Sequence, residues 1–486
     1  MAGWTDLANE LLYGIFDYLP NSDIKNVRLT CRFLYIVTPL RLNRVFVSLF
    51  RRDLDVLRSI ANHPVFSEQI TEVVWDDRRL HINEGMHIEI AQIFDTGTDN
   101  VQSSYEHLVP VGNSSYRDGQ LSTFQKALSK LYGHMGEWER ANHLLLRLYN
   151  EQQSILESNE DVETFRFALQ AFPRLRRVSI ANNCPSTCAE LPRYCTPLLR
   201  LLPSWLAKPW PCSVILGGVS CNKAGHTLRG YHAAVREISR SSRVISEFVM
   251  EPTCGGIDIF DASHIFNAPK EDLMLLTMKN NLTTLEYTLD GYIRWRADWD
   301  CNAIHKQILR MTFACARALE HFTLNMDVRP FHCPIRHHPV PLLDILPLEQ
   351  WGSLRSLSFR CFVVKLDDFI RTLSALPSTI KSLKFHRVHF LETTWEMALY
   401  YLRDVVGWGS DANCPLPTVT ISLLVESPSR RVVILRDEVK RFFERKAPNP
   451  FVSKDYTYSA YNRSINDDVL PGFGRDIDHT TPYDGY

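Results

Sequence analysis

Residues 354–385 read LRSLSFRCFVVKLDDFIRTLSALPSTIKSLKF. The stretch opens and closes on one pattern: apolar, two residues, apolar, one residue, apolar. Leu354, Leu357 and Phe359 fill it first, and Ile380, Leu383 and Phe385 fill it again. The last two residues of each triplet stand two apart, the spacing that places side chains on one face of a strand. LDDFIRTLSALP lies between them and carries apolar residues at helical spacing. Strand, helix and strand within one short unit predict an α/β fold in which each unit buries its apolar face against the next.

The same pattern recurs on both sides. ITEVVW (Ile70, Val73, Trp75), LRRVSI (Leu175, Val178, Ile180), ISEFVM (Ile245, Phe248, Met250) and LTTLEY (Leu282, Leu285, Tyr287) carry it upstream. LEHFTL (Leu319, Phe322, Leu324) precedes the quoted stretch, and LPTVTI (Leu416, Val419, Ile421) comes after it. From residue 245 onward the units begin at 245, 282, 319, 354, 380 and 416, an interval close to a constant period. KEDLMLLTMKN, AIHKQILRMTFACARA and WEMALYYLRDVVGWGS fill the gaps as helices. A fixed period of strand and helix is the signature of a repeat array. The expectation is a leucine-rich-repeat-like α/β solenoid over 49–445, with a helical insertion at about 81–165 and a loosely draped polar tail over 446–486.

Composition narrows the function. Of 486 residues, 45% are hydrophobic and 22% charged, and 54 Lys and Arg stand against 55 Asp and Glu. A near-neutral chain lacks the basic footprint of a nucleic-acid binder. No apolar run is long enough to span a bilayer, and no leader pattern opens the chain. The 12 cysteines are therefore expected to be reduced thiols, in cytoplasm or nucleus.

The first 48 residues differ from the rest. TDLANELLYGIFDYLP (5–20) sets Leu7, Leu11, Leu12, Ile15, Phe16 and Leu19 at helical spacing. NSDIKNVRLTC comes next, with Ser22 or Asp23 as a candidate N-cap, and CRFLYIVTPL gives a third short helix ended near Pro39. RVFVSL then alternates as a strand. Three short helices make a core that is marginal alone. Their apolar stripe either packs on the rest of this chain or docks another one.

LANELLYGIFDYLPNSDIKNVRLTCRFLYIVTPLRLNRVF resembles an F-box domain. Leu7, Glu10, Leu11, Ile15, Leu19, Leu29, Cys31 and Arg32 stand on the family's motif positions, and Ala8 replaces its usual proline. The adjoining RRDLDVLRSIANHPVFSEQITEVVWDD is similar to the segment C-terminal to the F-box in many fungal members. The resemblance implies the substrate-receptor subunit of a Skp–cullin–F-box ubiquitin ligase. In that role Leu7, Glu10, Leu11, Ile15, Leu19, Leu29 and Cys31 bind a Skp-family adaptor, and through it a cullin, while the repeats hold a protein substrate. The ligase chemistry then belongs to other subunits, so no enzyme activity, cofactor or metal is expected. The alternative is a repeat scaffold unconnected to ubiquitin transfer, its first helices serving as a cap.

Strand alternation nominates the residues that would touch a substrate. With the apolar triplets turned to the core, Arg177, Ser179, Glu247, Glu286, His321, Thr323, Ser356, Ser358, Lys384, His386 and Thr420 face out on the other side. They mix both charges with hydroxyls and name no substrate class. Two clusters have metal-ligand residue types: Cys184, Cys188 and Cys195, and His332, Cys333, His337 and His338. The cysteine set lacks the paired spacing of structural zinc, and the prolines of the histidine cluster and its place between units argue for a loop. Asp76 and Asp77 read as a solvated turn, and no phosphate-binding glycine loop or nucleophile elbow is present.

Overall fold

The computed structural model describes residues 7–16, 18–19, 21–38, 40–77, 135–181, 194–202, 229–250, 269–290, 303–327, 339–391, 393–408, 416–425, 431–453, 467–469, 473 and 475–476. Its centre is one open eleven-stranded sheet, mostly parallel, with helices. The last two residues of all eight triplets lie in its strands, each leading residue stands two positions ahead of its strand, and their order in the sheet is their order in the chain.

The strands are β1 (Arg44–Ser48), β2 (Glu72–Asp76), β3 (Arg177–Ala181), β4 (Glu247–Met250), β5 (Thr284–Asp290), β6 (His321–Asp327) and β7 (Ser356–Arg360). A short ladder of β8 (Val363–Val364) with β10 (His389–Phe390) flanks β9 (Ser382–His386). β11 (Thr418–Val425) is the last parallel member, and β12 (Arg431–Leu435) turns back against it antiparallel. A two-residue strand, Arg475–Asp476, closes that edge.

The register aligns the triplets. Val73, Val178, Phe248, Leu285, Phe322, Leu357, Leu383 and Val419 form one continuous row of partners. Trp75, Ile180, Met250, Tyr287, Leu324, Phe359, Phe385 and Ile421 belong to the same buried core. The leading residue of each unit is buried too, except the half-buried Ile380 and Leu416. Helices pack on this apolar face: Arg51–Ala61, Glu160–Ala171, Arg229–Arg240, Pro269–Asn280, Ala303–Ala314, Leu366–Ser374 and Trp395–Asp404. A row of large aromatics, Phe313, Phe322 and Trp351, then Phe369, Phe385 and Trp395, links successive units through edge and tilted contacts. Such pairs add about 0.5–1.5 kcal/mol each beyond area burial.

Two expectations are corrected. The segment beyond 446 is not loosely draped where it is described. Phe451 is buried and stacks on Trp395, Phe451–Ser453 pairs with Asp467–Val469, and Arg475–Asp476 joins the main sheet. Nor do Asp76 and Asp77 form a solvated turn, because both are buried at the end of β2. The Asp77 carboxylate accepts the Gly230 N–H at 2.9 Å, at the start of helix Arg229–Arg240, where a negative charge meets unpaired amides and the positive end of the dipole. Of the expected helical insertion, the helix Met135–Ser158 and the start of Glu160–Ala171 are described.

The chain begins with three short helices, α1 (Asn9–Phe16), α2 (Asn21–Arg28) and α3 (Arg32–Val37). Ser22 and Asp23 stand inside the first turn of α2, not at its cap, because Asn21 opens the helix. Pro20 and Pro39, expected to stop helices, lie outside the described residues.

Candidate functional site

Two surfaces collect the residues singled out by the sequence. The first is the N-terminal helical unit. Leu12 and Phe16 of α1 pack against Leu34 and Val37 of α3, with Leu19, Val27 and Phe33 around them, as a small cluster distinct from the main core. α3 is capped by Cys31, whose Sγ accepts the Leu34 N–H at 3.5 Å. The unit is tied to the next part of the chain through Asn21, whose carboxamide bonds the Arg41 backbone both ways, and through the Arg41 guanidinium on the Leu19 carbonyl.

That small core uses only one side of α1. Leu11 and Ile15 stand four apart in α1 and share a face, and Leu7 lies just ahead of the helix; they are 59%, 41% and 37% exposed. Leu29, in the turn after α2, is 84% exposed, and Ile36 of α3 is 67% exposed. Glu10 is exposed as well. Leu19 separates from this set, half-buried on the small core. Cys31 is exposed, with its sulfur engaged in the cap. The sequence reading missed Ile36 and Tyr35, both exposed on α3, where the Arg28 guanidinium lies 4.1 Å above the Tyr35 ring. The phase of α3 holds the signal: Leu34 and Val37 point inward, which leaves Tyr35 and Ile36 outside.

The second surface is the polar face of the sheet. Near β1–β3 it is closed. Glu72 accepts the Ser179 hydroxyl at 2.6 Å, pairs with Arg44 at 2.6 Å and lies 3.2 Å from Arg177. Arg177 continues to Glu247 at 3.3 Å. Burial by itself would raise the Glu72 pKa, but the Ser179 hydroxyl and the two guanidiniums outweigh it and hold the carboxyl below its ordinary value. Residues 194–202 lie over this part. Tyr194 sits between Arg44 and Phe46, and the Leu198 N–H reaches Asp53 at 2.7 Å. Ser179, expected to face out, is therefore fully buried, and Arg177 and Glu247 are already paired.

Further along, the face is more open. His321 is exposed, and Thr323, Ser356, Lys384 and Thr420 are half-buried. Ser358 is buried, which differs from its expected outward exposure. Glu286 accepts the Asn325 amide at 3.1 Å and lies 3.9 Å from Arg360. The His386 Nδ1 meets the Ser422 hydroxyl at 2.7 Å. Burial, reinforced by Arg360 and Arg387, pushes the His386 pKa down to about 3, so the ring is neutral at physiological pH.

Among the described residues no group of three metal-ligating side chains comes together, and no helix is long and apolar enough to cross a membrane. Cys184, Cys188, His332, Cys333, His337 and His338 lie outside the described residues. No family model matches the chain, and no curated protein matches its sequence significantly.

Proposed function

We propose that this chain is a substrate receptor of a Skp–cullin–F-box type ubiquitin ligase. On this reading it is a non-enzymatic subunit, working in the cytoplasm or nucleus. Its first three helices act as an F-box, and the strand–helix units form a leucine-rich-repeat-like solenoid that holds a protein substrate. One observation carries the reading. α1 fills its own small core with Leu12 and Phe16 and still leaves Leu11 and Ile15 uncovered, with Leu7 exposed just ahead of the helix. A short helix with a spare apolar stripe fits helix-in-groove recognition. Leu29 and Ile36 extend the apolar area available to the adaptor. Burying three or four such side chains supplies roughly 1.5–3 kcal/mol each before the cost of association.

The test is co-purification of the adaptor with the full chain and with a variant carrying Leu11→Asp and Ile15→Asp. Both positions are exposed, so the unit keeps its core and the sheet keeps its melting temperature. At the interface the new carboxylates would be buried without partners, which costs several kcal/mol. The expected result is loss of the adaptor by at least a hundredfold in affinity. Undiminished co-purification would remove the docking role from α1.

A further inference from the structure

The polar face of the sheet holds two regions with similar donors and different states. Near β1–β3, hydroxyl and cationic donors converge on one carboxylate, Glu72. At the other end, the register brings Thr323 of β6, Ser358 of β7, Lys384 of β9 and Thr420 of β11 into a single row. Among the described residues none of these four side chains makes a hydrogen bond or an ion pair. Arg360 stands two residues along β7 from Ser358, so it is diagonal to Lys384 and within reach of a shared ligand. The charges that act on Lys384 are Arg360, Arg436 and Glu286. Glu286 is already held by Asn325 and Arg360. The one carboxylate of the row, Glu286, stands beside Thr323 on β5. Three cations thus face a single carboxylate that Asn325 and Arg360 already hold.

We propose that the row of Thr323, Ser358, Lys384 and Thr420, completed by Arg360, binds an aspartate or glutamate side chain of a protein partner lying across the sheet. The Lys384 ammonium supplies a charge-assisted bond, and a neighbouring hydroxyl donates as Ser179 does to Glu72. Arg360 faces the second oxygen. Burial, then Arg360 and Arg436, hold the Lys384 pKa below its ordinary value, so an incoming carboxylate relieves an unfavourable charge. The inference rests on the receptor reading and adds the chemistry of the partner: an acidic segment.

The experiment is fluorescence anisotropy of a labelled oligoglutamate peptide with the full chain at about 0.15 M salt, where long-range attraction is screened. Oligoglutamine, phosphoserine peptide and inorganic phosphate are the comparison probes. The expected result is binding of the glutamate peptide, none of the glutamine peptide, and a loss of about tenfold or more in Lys384→Met and in Thr420→Val. Lys384→Met removes a half-buried charge, so its melting temperature should match or exceed that of the natural chain. Equal binding by Lys384→Met overturns the proposal, as does the absence of any binding. A phosphoserine peptide that binds tenfold tighter makes the site one for phosphate and overturns the carboxylate assignment. Full displacement by inorganic phosphate at the same concentration makes it an ion site and does likewise. The variant with Leu11→Asp and Ile15→Asp should bind the peptide unchanged. Adaptor binding without peptide binding sinks this site alone, while Lys384-dependent peptide binding without adaptor binding sinks the receptor reading alone.

Discussion

Asp53 shows what a single side chain contributes at the residue scale. It sits in the first turn of helix Arg51–Ala61, buried, with its two oxygens accepting the Ser48 hydroxyl at 2.7 Å and the Leu198 N–H at 2.7 Å. It therefore fastens residues 194–202 over the first strands. Burial pushes its carboxyl up to about 6 from 3.8 despite those hydrogen bonds, and the charge of Asp76 adds to the rise. The folded chain consequently holds this proton at a pH where the unfolded chain has lost it. Stability from this group is highest below the unfolded value and declines as pH rises from about 4 to about 6, by roughly 3 kcal/mol. Asp53→Asn keeps an acceptor for Leu198 and removes the titration. Its melting temperature should be flatter than that of the natural chain across that window. A natural chain already flat between pH 4 and 6 would show that Asp53 stays ionised throughout. No sequence feature announces this role. Asp53 looks like one of two acids in a surface helix, because the backbone it fastens, at Leu198, lies 145 residues away.

Elements are set by how closely they approach one another. Helix Arg229–Arg240 begins against the end of β2, and Gly230 makes that approach possible. A Cβ there would meet Trp75 Cδ1 and Nε1 at 2.8 Å and Asp77 Cγ at 3.0 Å. The Trp75 ring is fully buried against Phe165, so it has little room to yield. Gly230→Ala should therefore destabilise the chain by about 1–3 kcal/mol, despite the better helix propensity of alanine. Denaturant unfolding checks this, and a neutral or stabilised variant would mean that the helix can slide outward at no cost. The same junction explains why Asp76 and Asp77 mislead in sequence. Adjacent acids after a strand look solvated, yet the N-terminus of a distant helix brings the Gly230 amide to Asp77.

For the whole molecule, the sequence is most informative where a physical constraint repeats. Each strand–helix unit buries its two strand positions, and six of the eight bury the leading one as well, so Leu354, Leu357 and Phe359 predict a strand and a core face, as their counterparts do. Periodicity also gives α1 an apolar stripe, although only packing separates Leu12 and Phe16 inside from Leu11 and Ile15 outside. The polar face is legible as a set of residues and not as a state. Alternation predicts that Ser179 and Lys384 share a face, and it cannot tell that Ser179 is used by Glu72 while Lys384 has no partner among the described residues. Residues 194–202 add to the difference by lying over the first strands, and they carry no strand pattern.

On the proposed role, the first three helices form half of an interface and the sheet takes no part in it. Amide hydrogen exchange on the full chain, with and without a purified Skp-family adaptor, tests this most directly. The expected result is slowed exchange across α1, the turn at Leu29 and α3, with the strands from β2 to β11 unchanged. Protection on the sheet in place of α1, or no protection anywhere at saturating adaptor, would contradict it.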